Sequence, residues 1–307
     1  MSGDRPKRPS DEATNGGHPS SAQMTTRSGD GTGLRAFGFF CGGTLVFSWG
    51  LWALLFVGFV PSSAIGILAR VGGFGPLVGA LVALFATGRS IRTWARSIIR
   101  IRIPARWVGW ALVLPPLFIV LAGVVHVVVF GASIDLDAIN PLWFYPIAVV
   151  VVFFVGGGQE ELGWRGFALP ALQQRVTALT ASIAVGILWA LWHLPLFFLP
   201  GSAQSDLPML PYIVAVASAS IVLTWLFNSS GSVLVPMLYH GGINPIAAYF
   251  PTGGVEAIGT VTGYASYALV LVVAVGLLLA VYGARQLSNQ PRLTLSTLFS
   301  ASSRTAR

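Results

Sequence analysis

The sequence predicts an all-α membrane protein, a bundle of about eight transmembrane helices with both termini in the cytosol. Charged residues make up 9% of its 307 residues and hydrophobic residues 54%, whereas a soluble domain carries roughly a quarter charged residues. The mean hydropathy is +0.75. Apolar stretches of about 20 residues, the length that crosses a bilayer, recur along most of the chain. These observations exclude a soluble globular class and indicate a polytopic helix bundle.

Eight apolar segments define the predicted spans. The apolar pattern defines the ends of the second and seventh segments less sharply than those of the others. They are 36–60, 73–88, 107–130, 141–162, 177–199, 210–227, 232–250 and 262–283. Residues 1–35 are polar and rich in Ser, Gly, Pro and Thr, which predicts a disordered tail. The transmembrane domain is expected over 36–284, and 285–307 is expected to be a cytosolic tail.

The basic residues predict the orientation. With a cytosolic N-terminus, every Lys and Arg except Arg70 and Arg165 falls in a cytosolic segment, six of them arginines within 89–106. This asymmetry follows the positive-inside rule and requires an even number of spans. The arginine loop could also lie on anionic lipid headgroups, although a role in topology alone is the simpler interpretation. We therefore predict membrane lipid and no nucleic acid as a partner, and a cell membrane as the location.

Two adjacent carboxylates, Glu160 and Glu161, follow the apolar run 141–155. An ionisable group at membrane depth costs about 2.5–3.5 kcal/mol on insertion scales and is by default a functional candidate. On a helix, Glu161 and Arg165 are four residues apart with the acid first, the favoured order for an ion pair. We expect Arg165 to hold Glu161 and Glu160 to face a polar partner on another helix. The alternative is a purely structural network of all three.

Two histidines in the apolar segments lie near a polar or an aromatic residue. His193 follows Trp189 by one helical turn, and His240 precedes Asn244 by one turn, so each pair shares a helix face. A proline also follows each histidine, Pro195 by two positions and Pro245 by five, and proline removes a backbone donor and kinks a helix. His126 has no such neighbours and is expected to be a packing residue.

These residues are compatible with two hydrolytic schemes. Glu160, His193 and His240 could bind a divalent metal such as zinc with an open position for water. Alternatively, Glu160 and His193 act as general bases on water while His240 and Asn244 donate to an oxyanion. Both schemes hydrolyse an acyl bond. The sequence contains no HExxH motif, no nucleophile elbow and no P-loop.

Three motifs stand in order on three predicted spans: EExxxR at Glu160, Glu161 and Arg165, an aromatic-xxx-His motif at Trp189 and His193, and HxxxN at His240 and Asn244. Over about 136–250 the sequence resembles the CPBP family of intramembrane proteases, also called Abi or type II CAAX prenyl endopeptidases. Many relatives have Phe where this chain has Trp189, which is a mild departure at an aromatic position.

The resemblance implies a multi-helix protein with a cavity that opens toward the cytosol. It implies that the residues matching Glu160 and His193 activate water and that those matching His240 and Asn244 form the oxyanion site. Glu161 and Arg165 would support this arrangement, and the resemblance leaves a bound metal open.

The expected function is intramembrane hydrolysis of a peptide bond in a membrane-associated protein or peptide. Eukaryotic relatives cleave prenylated proteins, but that substrate is not carried over, because the tail composition and the wording of the motifs are similar to those of bacterial members. We therefore expect a bacterial plasma membrane as the location. The substrate stays open and could be lipidated. Two alternatives come from other classes: a bacteriocin-immunity or binding protein that retains the motifs, and an ion- or proton-coupled transporter whose Glu and His residues form a relay.

Overall fold

The computed structural model describes residues 1, 3, 29–57 and 60–304. Within these ranges the regular structure is helical, with one isolated β-bridge between Asp135 and Thr252. The first five helices are α1 Gly29–Phe56, α2 Ser62–Gly72, α3 Gly75–Ala86, α4 Ile91–Ile98 and α5 Ala105–Phe130. Then come α6 Phe144–Val155, α7 Glu161–Gly163, α8 Leu169–Gln173, α9 Ala178–Trp192 and α10 Met209–Ser230. The last four are α11 Leu234–Ile243, α12 Gly254–Gly259, α13 Val261–Gln286 and α14 Leu295–Arg304.

The chain is a multi-pass membrane protein, as the sequence predicts. Among the described residues, six stretches are long and apolar enough to cross a bilayer: Gly33–Phe56, Ala105–Phe130, Phe144–Gln173, Ala178–Phe198, Met209–Ser230 and Val261–Gln286. Helices α2 and α3, bent by 43° relative to each other, supply a seventh if they are counted together. Most of the predicted tail at 1–35 lies outside the described residues, but α1 already begins at Gly29.

The predicted span at 232–250 is not a full-length helix, so the predicted count of eight exceeds the number of full-length spans. Helix α11 ends at Ile243 and continues as a 3₁₀ turn over Pro245–Tyr249. Together these elements rise about 25 Å, somewhat less than a hydrocarbon core of about 30 Å. The stretch still joins the two ends of the bundle. At one end Ser232 Oγ donates to the Arg100 carbonyl at 2.8 Å, and at the other Asp135 N–H donates to the Pro251 carbonyl at 3.0 Å.

The two terminal segments meet at one end of the bundle. Gly33 of α1 lines the same cleft as Arg292 and Thr294, and α14 packs against α4. Leu295 and Leu298 of α14 are buried in the main core, so this part of the predicted C-terminal tail is packed. The two terminal segments lie at the same end of the bundle, which agrees with an even number of passages of the chain through it. The side of the membrane that this end faces remains a prediction from the basic residues.

We expect reporters fused to the two termini to give the same signal. A fluorescent protein that folds only in the cytosol should be bright at either end, and alkaline phosphatase should be active only when inserted at the opposite end, near Asp206. The positive-inside asymmetry is the physical reason. Opposite signals from the two termini would contradict both the topology and the shared end of the bundle.

The helices pack closely around residues 156–173 because small residues lie at the contacts. A Cβ at Gly79 of α3 would lie 2.1 Å from Thr44 Oγ1 of α1, and one at Gly163 would lie 2.1 Å from the Pro76 carbonyl oxygen. Small residues of this kind let membrane helices approach each other. Helices α1 and α3 therefore form one wall against the segment that carries the Glu pair.

Candidate active site

The segment that carries the Glu pair is not the continuous helix over 141–172 that the sequence pattern predicts. Helix α6 ends at Val155, and a 3₁₀ turn over Gly158–Glu160 starts the next stretch. Gly157 between them has φ +140°, a backbone conformation that glycine alone adopts readily. A π-helical turn follows over Trp164–Ala168, a feature often found at functional sites. The three consecutive glycines explain the break, which lets the chain turn inward before the carboxylates.

Gln159 holds this break in place. Its Oε1 accepts the backbone N–H groups of Gly156 at 3.0 Å and Gly157 at 2.9 Å, and its Nε2 donates to the Gly73 carbonyl at 3.4 Å. The Gly156 carbonyl in turn accepts from Asn244 Nδ2 at 2.7 Å. Gln159 was not among the predicted site residues, and its only sequence signal is its place between the glycines and the Glu pair.

Glu161 is completely buried and has two charged or chargeable partners. The predicted ion pair is present, with Arg165 Nη1 3.0 and 3.1 Å from the two carboxylate oxygens. His240 Nδ1 lies 2.7 Å from Glu161 Oε1. Glu161 therefore connects the first motif with the third, which the spacing within EExxxR could not indicate.

Arg165 is also completely buried. Its Nη2 donates to the Ser220 hydroxyl at 2.9 Å and to the Ser220 carbonyl at 3.2 Å. The Ser220 hydroxyl donates onward to the Ser182 carbonyl at 2.8 Å. These bonds satisfy a charge that would otherwise be costly to bury. No sequence signal marks Ser220, because serine is common in apolar helices.

Trp189 contacts residues of all three motifs. Its indole N–H donates to Glu160 Oε2 at 2.9 Å. The ring lies 5.0 Å from the His240 ring, and the Arg165 guanidinium lies 5.4 Å from the Trp189 ring centroid. The polar partner expected for Glu160 on another helix is therefore this indole on α9. Only 6% of Glu160 and 7% of His193 is exposed, so the carboxylate and the imidazole are largely shielded from solvent.

The hydrogen bonds of the two histidines determine which ring nitrogen is available. His193 Nδ1 lies 2.9 Å from the Trp189 carbonyl, which only accepts, so Nδ1 carries the proton. In the neutral ring Nε2 then has a free lone pair. Since His240 Nδ1 faces the Glu161 carboxylate, Nε2 is its reactive nitrogen, and it lies on the side of Gly157 and Asn244.

The predicted metal triad of Glu160, His193 and His240 does not fit this arrangement. Within the part of the chain that the structure describes, no three His, Cys, Asp or Glu side chains lie close enough together to hold a metal ion. One oxygen of Glu160 is already bonded to the Trp189 indole. We therefore derive no chemical step through a metal, and zinc binding stays a prediction for measurement.

His126 lies apart from this cluster, as its sequence context suggests. Its two ring nitrogens are 2.8 Å from Thr252 Oγ1 and 3.0 Å from Thr262 Oγ1. Its ring also packs against Phe250, with centroids 5.4 Å apart. Both nitrogens are therefore used in packing α5 against the following elements.

The cluster as a whole contains what hydrolysis of an acyl bond requires. Glu160 supplies a carboxylate, His193 supplies an imidazole with a free nitrogen, and the exposed Asn244 supplies an amide N–H group. Asn244 uses one Nδ2 hydrogen on the Gly156 carbonyl and retains a second for a ligand. The buried Glu161, Arg165 and His240 fix the geometry around these groups.

We expect Gly157→Ala to reduce any activity of this site at least tenfold. A Cβ there would lie 2.5 Å from both His240 Nε2 and Asn244 Nδ2, and φ +140° is strained for alanine. A displacement of about 1 Å in an active site can cost on the order of 100-fold in rate. The rate and the melting temperature of the variant are the measurements. Gly276→Ala is the control, because a Cβ at Gly276 meets nothing within 4 Å; equal rates for the two variants would contradict the prediction.

Two comparisons with known proteins cover the part of the chain that carries this site. Residues 141–246 match the family model described as type II CAAX prenyl endopeptidase Rce1-like, and all three motifs lie inside the match. The chain is also similar to a CAAX prenyl protease 2 of Methanococcus maripaludis, with 30% identity over 136 residues. That alignment covers 41% of this chain and 50% of the relative, so the chain spans about half the length of the protein it matches.

Proposed function

Because residues 141–246 match the family model of Rce1-like type II CAAX prenyl endopeptidases, we propose that this protein is an intramembrane endopeptidase. Its substrate is a membrane-associated protein or peptide, and its chemistry is the attack of an activated water on a peptide bond. The observation that carries the proposal is the convergence of the three motifs on Trp189, which contacts Glu160, Arg165 and His240.

In the proposed first step, water attacks the carbonyl carbon of the peptide bond. Glu160, assisted by the free lone pair of His193 Nε2, takes the proton from the water as the new C–O bond forms. The electron pair of the carbonyl π bond moves to its oxygen. That oxygen accepts the free N–H of Asn244, and His240 donates from Nε2 when its ring is protonated.

In the second step the tetrahedral intermediate collapses. The C–N bond breaks, the carbonyl re-forms, and the base returns its proton to the leaving amine nitrogen. The products are a carboxylic acid and an amine, and the site returns to its initial protonation state. Glu161 and Arg165 touch no reacting atom in this scheme; they hold His240 and the helix that bears Glu160.

The proposal is tested by peptide hydrolysis with two matched histidine variants. The purified chain in lipid nanodiscs is given a library of fluorescence-quenched peptides, some carrying a prenylated C-terminal cysteine. We expect cleavage by the wild type and by His126→Gln, and none by His193→Gln. His126 and His193 are both buried, but only His193 belongs to the cluster. Equal cleavage by the two variants would contradict the assignment of the site.

The metal content of the same preparations decides between the two chemical schemes. Full activity with substoichiometric metal, unaffected by a chelator, supports direct activation of water by Glu160 and His193. One zinc ion per chain, lost together with activity in His193→Gln and in His240→Gln, would show that the three side chains rearrange around a metal.

A further inference from the structure

A second polar site lies away from the cluster, at the end of the bundle where the terminal segments meet. It is a cleft of about 290 Å³, which we call the arginine cleft, lined by Gly33, Gln173, Gln174, Arg175, Arg292, Thr294 and Ser296. Two guanidinium groups, two hydroxyl groups and two amides therefore face one volume large enough for a phosphate group.

The charges of the arginine cleft lack an internal counter-charge among the described residues. No carboxylate lines it, and both ion pairs in the described ranges belong to Glu161. Among the described residues, the guanidinium of Arg292 has only a long contact, 3.5 Å, from Nη1 to the Arg285 carbonyl. Two cations around one cleft repel each other, and an anion between them would remove that repulsion. The planar fork of arginine matches phosphate oxygens better than the ammonium of lysine does.

The walls of the arginine cleft are held rigidly before any ligand arrives. Gln173 and Asn228, both buried, exchange two amide hydrogen bonds of 3.2 and 2.8 Å. Gln173 Nε2 also donates to the Leu293 carbonyl at 2.7 Å, and the Arg292 N–H donates to Gln286 Oε1 at 2.7 Å. The segment that carries Arg292 is thus fixed against the end of α8, which is the pre-organisation that a binding site needs.

The position of the arginine cleft in the membrane indicates the kind of anion. Gly33 is the first residue of the first membrane-spanning stretch, and Gln173 is the last residue of the stretch that begins at Phe144. The cleft therefore lies at the level where lipid headgroups meet water. Thr294 caps α14, with Thr297 N–H donating to its hydroxyl at 3.2 Å, so the positive end of that helix dipole also lies at the cleft.

We propose that the arginine cleft binds a phosphate group, carried by an anionic phospholipid or by a soluble phosphate. Arg175 and Arg292 supply the charge, and the hydroxyl groups of Thr294 and Ser296, which lie 2.9 Å apart, line the cleft beside them. This site is independent of the proposed hydrolysis. It also lies at the C-terminal end of α8, which follows directly on the π-helical turn that contains Arg165. Bound phosphate therefore stabilises the end of the helical segment that holds the Glu pair.

The test is thermal unfolding of the purified full chain in a nonionic detergent. The probes are dihexanoyl phosphatidylglycerol, dihexanoyl phosphatidylcholine and inorganic phosphate. A ligand at about 100 times its Kd should raise the melting temperature by about 4 °C. We expect this rise with the anionic lipid and none with phosphatidylcholine. If inorganic phosphate matches the anionic lipid, the ligand is a soluble phosphate; if only the lipid acts, it is a headgroup.

A matched pair of double variants makes the test specific. Arg175→Gln/Arg292→Gln should lose the rise, whereas Arg92→Gln/Arg102→Gln should keep it. The second pair removes the same charge from the same end of the bundle but from two exposed side chains outside the cleft. Equal loss in both pairs, or no rise with any anionic probe, overturns the proposal. If the Arg175→Gln/Arg292→Gln variant does not fold, the single variant Arg175→Gln, which changes an exposed side chain, is measured instead. It should reduce the rise in melting temperature by at least half. An unchanged rise overturns the proposal.

Discussion

Replacing Glu160 with glutamine should abolish peptide hydrolysis while the protein keeps its fold. The substituted amide has nearly the same shape as the carboxylate, and its oxygen can still accept the Trp189 indole N–H that now lies 2.9 Å from Glu160 Oε2. It cannot take a proton from water. Loss of a general base lowers rates by about 10²–10⁴-fold, and kcat should fall while KM changes little, because the substrate is not held by this group.

The control for Glu160→Gln is Glu256→Gln, a change of the same kind at an exposed carboxylate. Hydrolysis rates and melting curves are measured for both variants. Full activity in Glu256→Gln with none in Glu160→Gln assigns the base. Substantial hydrolysis by a folded Glu160→Gln variant would remove Glu160 from the proposed mechanism. A phenotype that tolerates Glu160→Gln would favour a binding or immunity protein over an enzyme.

Replacing Arg165 with methionine should destabilise the protein by about 3–5 kcal/mol, the usual cost of removing one partner of a buried ion pair. Arg165 and Glu161 are both completely inaccessible, so the remaining carboxylate could not be solvated in the variant. The Ser220 hydroxyl and carbonyl would also lose the donor that now lies 2.9 and 3.2 Å away. Unfolding in a graded denaturing detergent is the measurement.

A double-mutant cycle separates the ion pair from the other contacts of Arg165. Glu161→Gln/Arg165→Met should be more stable than the two single changes predict together, because neither charge is then left without a partner. Arg102→Gln, at an exposed position, should change stability by less than about 0.5 kcal/mol. Strict additivity in the cycle, or a wild-type unfolding curve for Arg165→Met, would show that the pair contributes no net stability.

The transmembrane architecture was predictable because it depends on length and composition. The third, fifth, sixth and eighth predicted spans begin and end within a few residues of α5, the stretch Ala178–Phe198, α10 and α13. The prediction of a full span at 232–250 was wrong because the stretch is apolar over its whole length but its α-helix ends at Ile243. Hydropathy measures how apolar a stretch is and does not show whether its backbone stays helical.

The site was predictable where its contacts are local. The Glu161–Arg165 pair follows from a spacing of four residues. Contacts between distant residues could not be derived in the same way: Arg165 meets Ser220 55 positions away, and Gln159 meets Gly73 86 positions away. The arrangement of Glu160, His193 and His240 could not be derived either, since residue types on three helices do not determine how the helices turn toward one another.

The partners of Glu161 have a consequence for biosynthesis. Arg165 lies one helical turn away, so the two charges can neutralise each other as soon as this segment leaves the ribosome and enters the bilayer. His240, the second partner, is synthesised 79 residues later. In a partly synthesised chain, the charge of Glu161 is therefore neutralised by Arg165, but the site still lacks His240. Under the proposed mechanism, hydrolysis requires α11 to be inserted beside α6, so the growing chain and its neighbours in the translocation machinery would not be exposed to a working protease.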